Sequence, residues 1–339
     1  MAVTLSVDQL TADTQKLYLR TVEDQVHDRI PFIYKLRRKR RVITKGGKKV
    51  VKPIRYAKNT QTQHYVKGQT LSSGTESKRT AAEFGWAFTQ TPIKYDVEDE
   101  ILNDGDNQIV DTIAEETKAA QEDQVDTLSQ NFFGQYVTAG TVTDVDSIPA
   151  GSPLSINAAF YGADNAYGGH ATYGGIARTA VGDWWDGNVD DCATINTATS
   201  VSYNQWDFMV DKCMQYKANR TDLMAVTGSA LFRKWKSLVR AKEADIDISG
   251  MMAKAGFASF SIDGIELVLD DNVADDYLYM LDMSSWEWRI SPKRNFEVKP
   301  FEWQGKTNNG IDEYLSRVML AHQLVCWKPR VNYMATNMS

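Results

Sequence analysis

The sequence predicts an α+β protein, and three observations carry that prediction. Val42-Ile43 and Val50-Val51 flank Lys45-Gly46-Gly47-Lys48, and a Gly-Gly pair between β-branched residues signals a hairpin. Asn107 to Phe133 holds no Pro and no Gly and reads as one long helix. Residues 202–299 alternate helical and strand patterns, as a compact α/β unit does.

The bounds set by composition are ordinary. The chain has 339 residues, 42% of them hydrophobic and 24% charged, which suits a soluble globular protein of one to three domains. No run approaches the roughly eighteen apolar residues of a membrane helix. Met1-Ala2-Val3-Thr4-Leu5 lacks the basic-then-apolar order of a signal peptide, so no membrane partner is expected. Cys192, Cys213 and Cys326 are odd in number and far apart, which points to free thiols in a reducing compartment.

In chain order, residues 1–28 are polar and read as an arm. The hairpin follows, and residues 58–82 read as its extended tip or return, with almost no apolar anchor. Phe84, Trp86 and Phe88 alternate with small residues, and Ile93, Tyr95 and Val97 continue the alternation. Residues 40–97 are thus expected as one long two-stranded excursion, which is marginal in water by itself. The long helix carries a sparse apolar stripe that includes Ile109, Ile113, Val125, Leu128 and Phe132. Such a helix can cross a domain as a spine with its other faces wet.

Residues 138–200 are rich in Gly, Thr, Ser, Asn and Tyr and read as a loop-rich insertion. Trp184-Trp185 need a packing surface, so order is expected there. Ser202 and Gln205 fit a capping box for a helix carrying Trp206, Met209 and Cys213. Leu223-Met224-Ala225-Val226 reads as a buried strand, and Ser229 as the cap of a second helix. Strands are expected at Ile265–Leu269, Tyr277–Met280, Trp286–Ile290 and Leu315–Trp327, with Pro329 closing the last.

The search for chemistry excludes more than it finds. Gly46-Gly47-Lys48-Lys49 lacks the hydroxyl residue and the upstream Gly of a phosphate loop. His27, His64, His170 and His322 are isolated, with no metal-ligand spacing and no general-base partner. Asp270, Asp271, Asn272, Asp275 and Asp276 do not match a calcium loop and read as a solvated turn. No cofactor, metal or catalytic residue is expected.

Charge is the remaining signal. The net charge of -6 conceals two opposed blocks. Arg29 to Lys58 holds thirteen Lys and Arg and no acid. Asp96 to Asp126 holds twelve Asp and Glu against Lys118 alone. The basic segment 35–58 can bind nucleic-acid phosphates. It can also lie on an acidic surface of its own assembly, and the acidic block supplies one, which favours this second reading. Such a ladder sets register and orientation more than affinity, because exposed pairs are individually weak.

Taken in order, these pieces resemble the major capsid protein of tailed bacteriophages, the Hong Kong 97 fold. Residues 1–36 resemble its N-terminal arm, 37–92 its extended β-hairpin or E-loop, and 93–137 its peripheral P domain with the spine helix. Residues 202–299 resemble its central α/β A domain, and 300–339 the returning P-domain strands with a C-terminal tail. Tyr173-Gly174-Gly175-Ile176-Ala177-Arg178 with Trp184-Trp185 resembles a segment of phage coat proteins. Residues 138–201 depart from the family as a longer link or insertion.

The resemblance implies a discontinuous two-domain subunit that self-assembles, without catalysis, into pentamers and hexamers of an icosahedral head. That shell encloses double-stranded DNA on its inner face. Portal, scaffolding and decoration proteins are the implied partners, and the virion, assembled in the bacterial cytoplasm, is the implied location. It also implies inter-subunit contacts. Arg37, Arg38, Lys39, Arg40, Arg41, Lys45, Lys48, Lys49, Lys52 and Arg55 would meet Asp96, Glu98, Asp99, Glu100, Asp104, Asp106, Asp111, Glu115 and Glu116 of a neighbour.

Overall fold

The structure is a computed structural model. It describes residues 30–57, 62–71, 79–96, 108–134, 136–138, 141–143, 151–160, 172–178, 183–192, 201–242, 257–304 and 313–338. Helix α1 (Pro31–Arg38) and strand β1 (Val42–Thr44) precede the antiparallel pair β2 (Val50–Arg55) and β3 (Arg79–Phe84). Strand β4 (Ala87–Asp96) precedes the long helix α2 (Gln108–Phe132). Two short hairpins follow, β5 (Tyr136–Thr138) with β6 (Thr141–Thr143), and β7 (Thr172–Tyr173) with β8 (Ile176–Ala177). Next come β9 (Asn188–Asp191), α3 (Tyr203–Gln215), β10 (Leu223–Thr227), α4 (Ser229–Lys242), β11 (Ser259–Ile262) and β12 (Ile265–Leu269). The chain ends with β13 (Leu278–Asp282), β14 (Trp286–Ile290), β15 (Glu297–Val298), β16 (Glu302–Trp303), β17 (Glu313–Cys326) and β18 (Tyr333–Thr336).

One six-stranded sheet runs β11-β12-β10-β13-β18-β9. Strand residues alternate between faces, and here both faces are covered. Leu223, Ala225, Leu278, Met280, Tyr333 and Ala335 face the core under α3 and α4. There Trp206 and Trp235 meet edge to face at 5.3 Å. Met224, Val226, Tyr279, Leu281 and Met334 face the second core, which contains Phe132, Phe133 and Phe160. The capping box at Ser202 and Gln205 forms as expected.

Ser229, in contrast, does not cap α4. It is the first helical residue, and Asp275 accepts from the Ala230 N–H at 3.0 Å and from the Ser229 hydroxyl at 3.3 Å. A carboxylate reaching across from the acidic turn satisfies the helix start, which local spacing could not reveal.

The end of the chain also differs from expectation. Pro329 opens a 3-10 turn, Pro329–Val331. Residues 333–336 then form β18, inside the sheet between β13 and β9, where a tail was expected. Asn332 makes the turn possible. It is fully buried, and its side-chain oxygen accepts from Asp282 N at 2.8 Å and Trp286 Nε1 at 3.0 Å. Its amide donates to the carbonyls of Lys328 and Pro329.

The second sheet is built on β17. Strand β4 lies along one side over ten paired residues, from Glu313↔Asp96 to His322↔Ala87. Strands β16, β15 and β14 pair in turn along the other side, and β1 lies outside β14. The expected excursion over 40–97 is therefore split. Val42-Ile43 does not fold back on Val50-Val51. It pairs in parallel with Trp288 and Arg289, whose strand supplies an apolar edge. The free-standing hairpin is β2 with β3. Gly85-Trp86 separate β3 from β4, and Trp86 Nε1 donates to the Gly47 carbonyl at 2.7 Å.

Helix α2 matches the expected span to within a residue at each end. Val125, Leu128 and Phe132 are buried, whereas Glu116, Lys118 and Asp126 are exposed. Phe132 anchors the helix end edge to face on Trp288 at 5.9 Å, and packs on Phe32 of α1 at 6.2 Å.

His322 lies beside this anchor and is fully buried. Its Nδ1 accepts from Trp288 Nε1 at 3.2 Å, and Nε2 faces the Thr89 hydroxyl at 3.4 Å. Burial pushes its pKa down to about 3. A depressed basic group stabilises the fold above its unfolded value of 6.5, and that contribution is lost as pH falls from 6.5 towards 3. Asp270 runs the other way. Burial and Asp271 lift its carboxyl to about 6 against bonds from Asn272, so its contribution is present below 3.8 and lost as pH rises through about 6. The His322→Asn protein should lose less stability than the wild type between pH 7 and pH 4. The Asp270→Asn protein should gain about 1–3 kcal/mol at pH 8. Urea denaturation at the three pH values checks both.

Candidate assembly interface

The hairpin of β2 and β3 has two unlike faces. Val50, Ala82 and Phe84 point inward and are buried, whereas Val51, Pro53, Arg55, Arg79, Ala81 and Glu83 point outward and are exposed. The inner face grips the body at its root and again at the far end of β2. Phe84 meets Tyr173 at 5.0 Å and Trp327 at 5.5 Å, both edge to face. The Lys52 ammonium sits 4.7 Å over the Trp327 ring. Tyr56 stacks on Trp184 at 5.3 Å.

The turn between β7 and β8 receives this root. Glu83 N donates to the Gly174 carbonyl at 2.9 Å. Gly174 has φ +58, and a Cβ there would lie 2.7 Å from the Phe84 ring and 3.2 Å from the Ala82 methyl. Only glycine meets both demands. The Gly174→Val protein should detach the hairpin root and lose about 2–4 kcal/mol, from a strained backbone and a displaced aromatic ring. Faster proteolysis within β2 and β3, with the β11-β12-β10-β13-β18-β9 sheet intact, is the expected readout.

Behind the turn lies a buried arginine. Arg178 donates to the carbonyls of Phe160, Ala158 and Ala159 at 2.9, 3.0 and 2.9 Å. It pairs with Asp186 at 3.5 Å and stacks on the Tyr173 ring at 5.0 Å. Trp185 Nε1 donates to the Tyr173 carbonyl, and the Tyr173 hydroxyl accepts from Cys326 N. The order expected from Trp184-Trp185 is present, and its use is now visible. The loop-rich segment braces the hairpin. Sequence reasoning quoted these residues without finding that role, because the contact joins positions about ninety residues apart.

Among the described residues, no ring contact or ion pair ties residues 62–71 to the body. Residues 62–71 are exposed throughout, with Tyr65 at 68%, Val66 at 74% and Leu71 at 55%. Residues 58–82 were expected to hold almost no apolar anchor, and the few apolar side chains described there are exposed. Tyr65, Val66 and Leu71 thus expose three apolar side chains within seven residues.

The basic block divides between internal and outward roles. Arg37 and Arg38 lie in α1, and Lys39, Arg40, Arg41 and Lys45 in the segments flanking β1. Lys39 pairs with Asp222, Arg41 and Lys52 with Glu287 at 3.3 and 3.7 Å, and Lys49 with Glu83 at 2.8 Å. Lys35, buried, bonds Glu266 at 2.6 Å, and burial still holds its ammonium below the usual lysine range. Arg38, Arg40, Lys45, Lys48 and Arg55 make no ion pair among the described residues. Of the acidic block, Glu98, Asp99, Glu100, Asp104 and Asp106 lie outside the described residues. Asp96 ends β4, Asp111 and Glu115 lie in α2, and Glu116 is exposed on it.

No family model matches the sequence, and no curated protein matches it. Solved structures do. The capsid asymmetric unit of cyanophage A-1(L) covers 88% of this chain and 90% of its own, at 13% identity and TM-score 0.60. The capsid of a native GTA particle covers 89% and 90%, at 10% identity and TM-score 0.55. This is the Hong Kong 97 capsid fold. An α+β Hong Kong 97 chain was the expectation from element order, and the structural match bears it out.

Proposed function

We propose that this protein is the major capsid subunit of a tailed bacteriophage, assembling into pentamers and hexamers of an icosahedral shell around double-stranded DNA. One observation carries the reading. A capsid fold presents a braced hairpin with an outward face and, among the described residues beyond it, the exposed apolar Tyr65, Val66 and Leu71. A hairpin without its own core needs another surface, and the obligate interfaces of large assemblies bury thousands of Å². The outward-facing Arg38, Arg40, Lys45, Lys48 and Arg55 suit the acidic block of a neighbour, Asp96 to Glu116.

On this reading the subunit has a structural role and no catalysis. Its domains follow the arm, E-loop, P-domain and A-domain division given above. It resides in the virion after assembly in the host cytoplasm, with portal, scaffolding and decoration proteins as partners. Electron microscopy of the purified protein at moderate salt tests the proposal. Shells or capsomer rings are expected. A stable monomer that binds DNA through residues 35–58 with a steep salt dependence would overturn it.

A further inference from the structure

Helices α3 and α4 cover one face of the β11-β12-β10-β13-β18-β9 sheet, where Trp206 and Trp235 join them edge to face. Their inner stripes are apolar and buried, with Met209, Val210 and Cys213 on α3 and Leu231, Phe232 and Val239 on α4. Their outer stripes carry opposite charge. The exposed residues of α3 are Asn204, Asp207, Asp211, Met214 and Gln215, and the charged ones are both acidic. Its one cation, Lys212, is half-buried, with its ammonium over the Phe208 ring at 5.2 Å. Helix α4 contains no Asp or Glu. Arg233, Lys234 and Arg240 are exposed on it, and Lys236 is half-buried.

Residues three and four apart are neighbours on a helix, and like charges there weaken it. Asp207 and Asp211 form such a run, and Arg233, Lys236 and Arg240 form another. Among the described residues no ion pair relieves either run. Same-sign charges that weaken a helix in the lone subunit gain a use when an opposite surface meets them.

The layer presents both signs side by side, and this selects the partner. A polyanion such as duplex DNA would be drawn to α4 and repelled by α3 beside it. A second copy of the layer offers the complement of both. A two-fold axis along the cleft between the helices sets α3 of each copy over α4 of the other, in one isologous contact. The lengths agree, since Asp207 and Asp211 lie about 6 Å apart along their helix axis, within the roughly 10 Å from Arg233 to Arg240. Met214, 42% exposed near the end of the acidic stripe, adds an adaptable apolar contact.

We propose that the α3–α4 layer is a self-complementary docking surface for a second copy of this chain. Asp207 and Asp211 of each copy meet Arg233, Lys234 and Arg240 of the other. Exposed pairs are individually weak and screened by salt, so these charges set orientation, and the contact loosens as salt rises. The surface is distinct from the hairpin, and its pairing does not depend on the capsid reading.

Carbodiimide coupling of the full chain tests it, because it joins a carboxylate directly to a lysine amine in contact with it. In an equal mixture of isotope-labelled and unlabelled wild type at low salt, mixed-label cross-links from Asp207 or Asp211 to Lys234 or Lys236 are expected. The acid-reversed protein carries Asp207→Lys and Asp211→Lys. The base-reversed protein carries Arg233→Glu, Lys234→Glu and Arg240→Glu. Both should keep the wild-type urea midpoint, because all five side chains are exposed. Each variant alone should lose α3-to-α4 cross-links between chains at least tenfold. The two variants mixed should recover them, with the carboxylate and amine sides exchanged. Cross-links within one label only, none at all, or no recovery on mixing would overturn the proposal. So would binding of a duplex DNA oligonucleotide that base reversal abolishes, without any mixed-label cross-link.

Discussion

Replacing Arg178 with Met should cost at least about 3 kcal/mol, the range for breaking a buried, hydrogen-bonded charge. The side chain is 1% exposed and serves three consecutive carbonyls, those of Ala158, Ala159 and Phe160. Methionine fills much of the volume but leaves these acceptors and the Asp186 carboxylate without the guanidinium. An orphaned buried acceptor costs roughly 1–3 kcal/mol. Lysine should not rescue, since one ammonium cannot reproduce a planar fork that reaches three oxygens. The effect should extend beyond the pocket. Arg178 stacks on Tyr173, Tyr173 holds Phe84, and Phe84 roots the hairpin. Arg178→Met and Arg178→Lys should thus both lower the urea midpoint and expose β2 and β3 to protease. A loss below about 1 kcal/mol in both would show that the brace is not organised by this residue.

The chain of contacts behind that prediction shows what could be read from sequence. Periodicity located α2, α3, β10, β12, β13, β14 and β17, because each buries a face whose spacing is local. The capping box at Ser202 and Gln205 was visible for the same reason. Partners across long separations were not. The Gly46-Gly47 hairpin signal misled, because β1 and β2 lie in different sheets and β1 found the Trp286–Ile290 strand instead of Val50-Val51. Asp275 caps α4 from forty-five residues away. Residues 333–336 are too short a run to announce a central strand, and only the buried Asn332 turn puts them there. The charge blocks were legible as composition. Their division into internal pairs, such as Arg41 with Glu287, and outward groups such as Arg40 required coordinates. Element order over the whole chain survived all of these local errors, and it was element order that indicated the capsid fold.

The Tyr65→Asp, Val66→Asp double variant should fold normally and fail to assemble. Both side chains are more than two-thirds exposed in the subunit, so their replacement should change unfolding free energy by no more than about 0.5 kcal/mol. In an interface the balance reverses. Burying an apolar side chain of this size contributes roughly 1.5–3 kcal/mol, and burying a new carboxylate without a partner costs several more. Each 1.4 kcal/mol is about a tenfold change in affinity. A closed shell repeats the same contact at every subunit, so a hundredfold loss per contact compounds over the assembly. On the capsid reading the outcome is measured by sedimentation and electron microscopy, side by side with wild type at one concentration, with urea denaturation as the folding control. Arg55→Glu, on the same hairpin but charged and exposed, should only shift assembly to lower salt dependence, since screened surface charges contribute little. Shells from the Tyr65, Val66 variant at wild-type concentration would mean that the tip contacts solvent in the assembly. The hairpin's role would then end at the root that Gly174 and Arg178 hold in place.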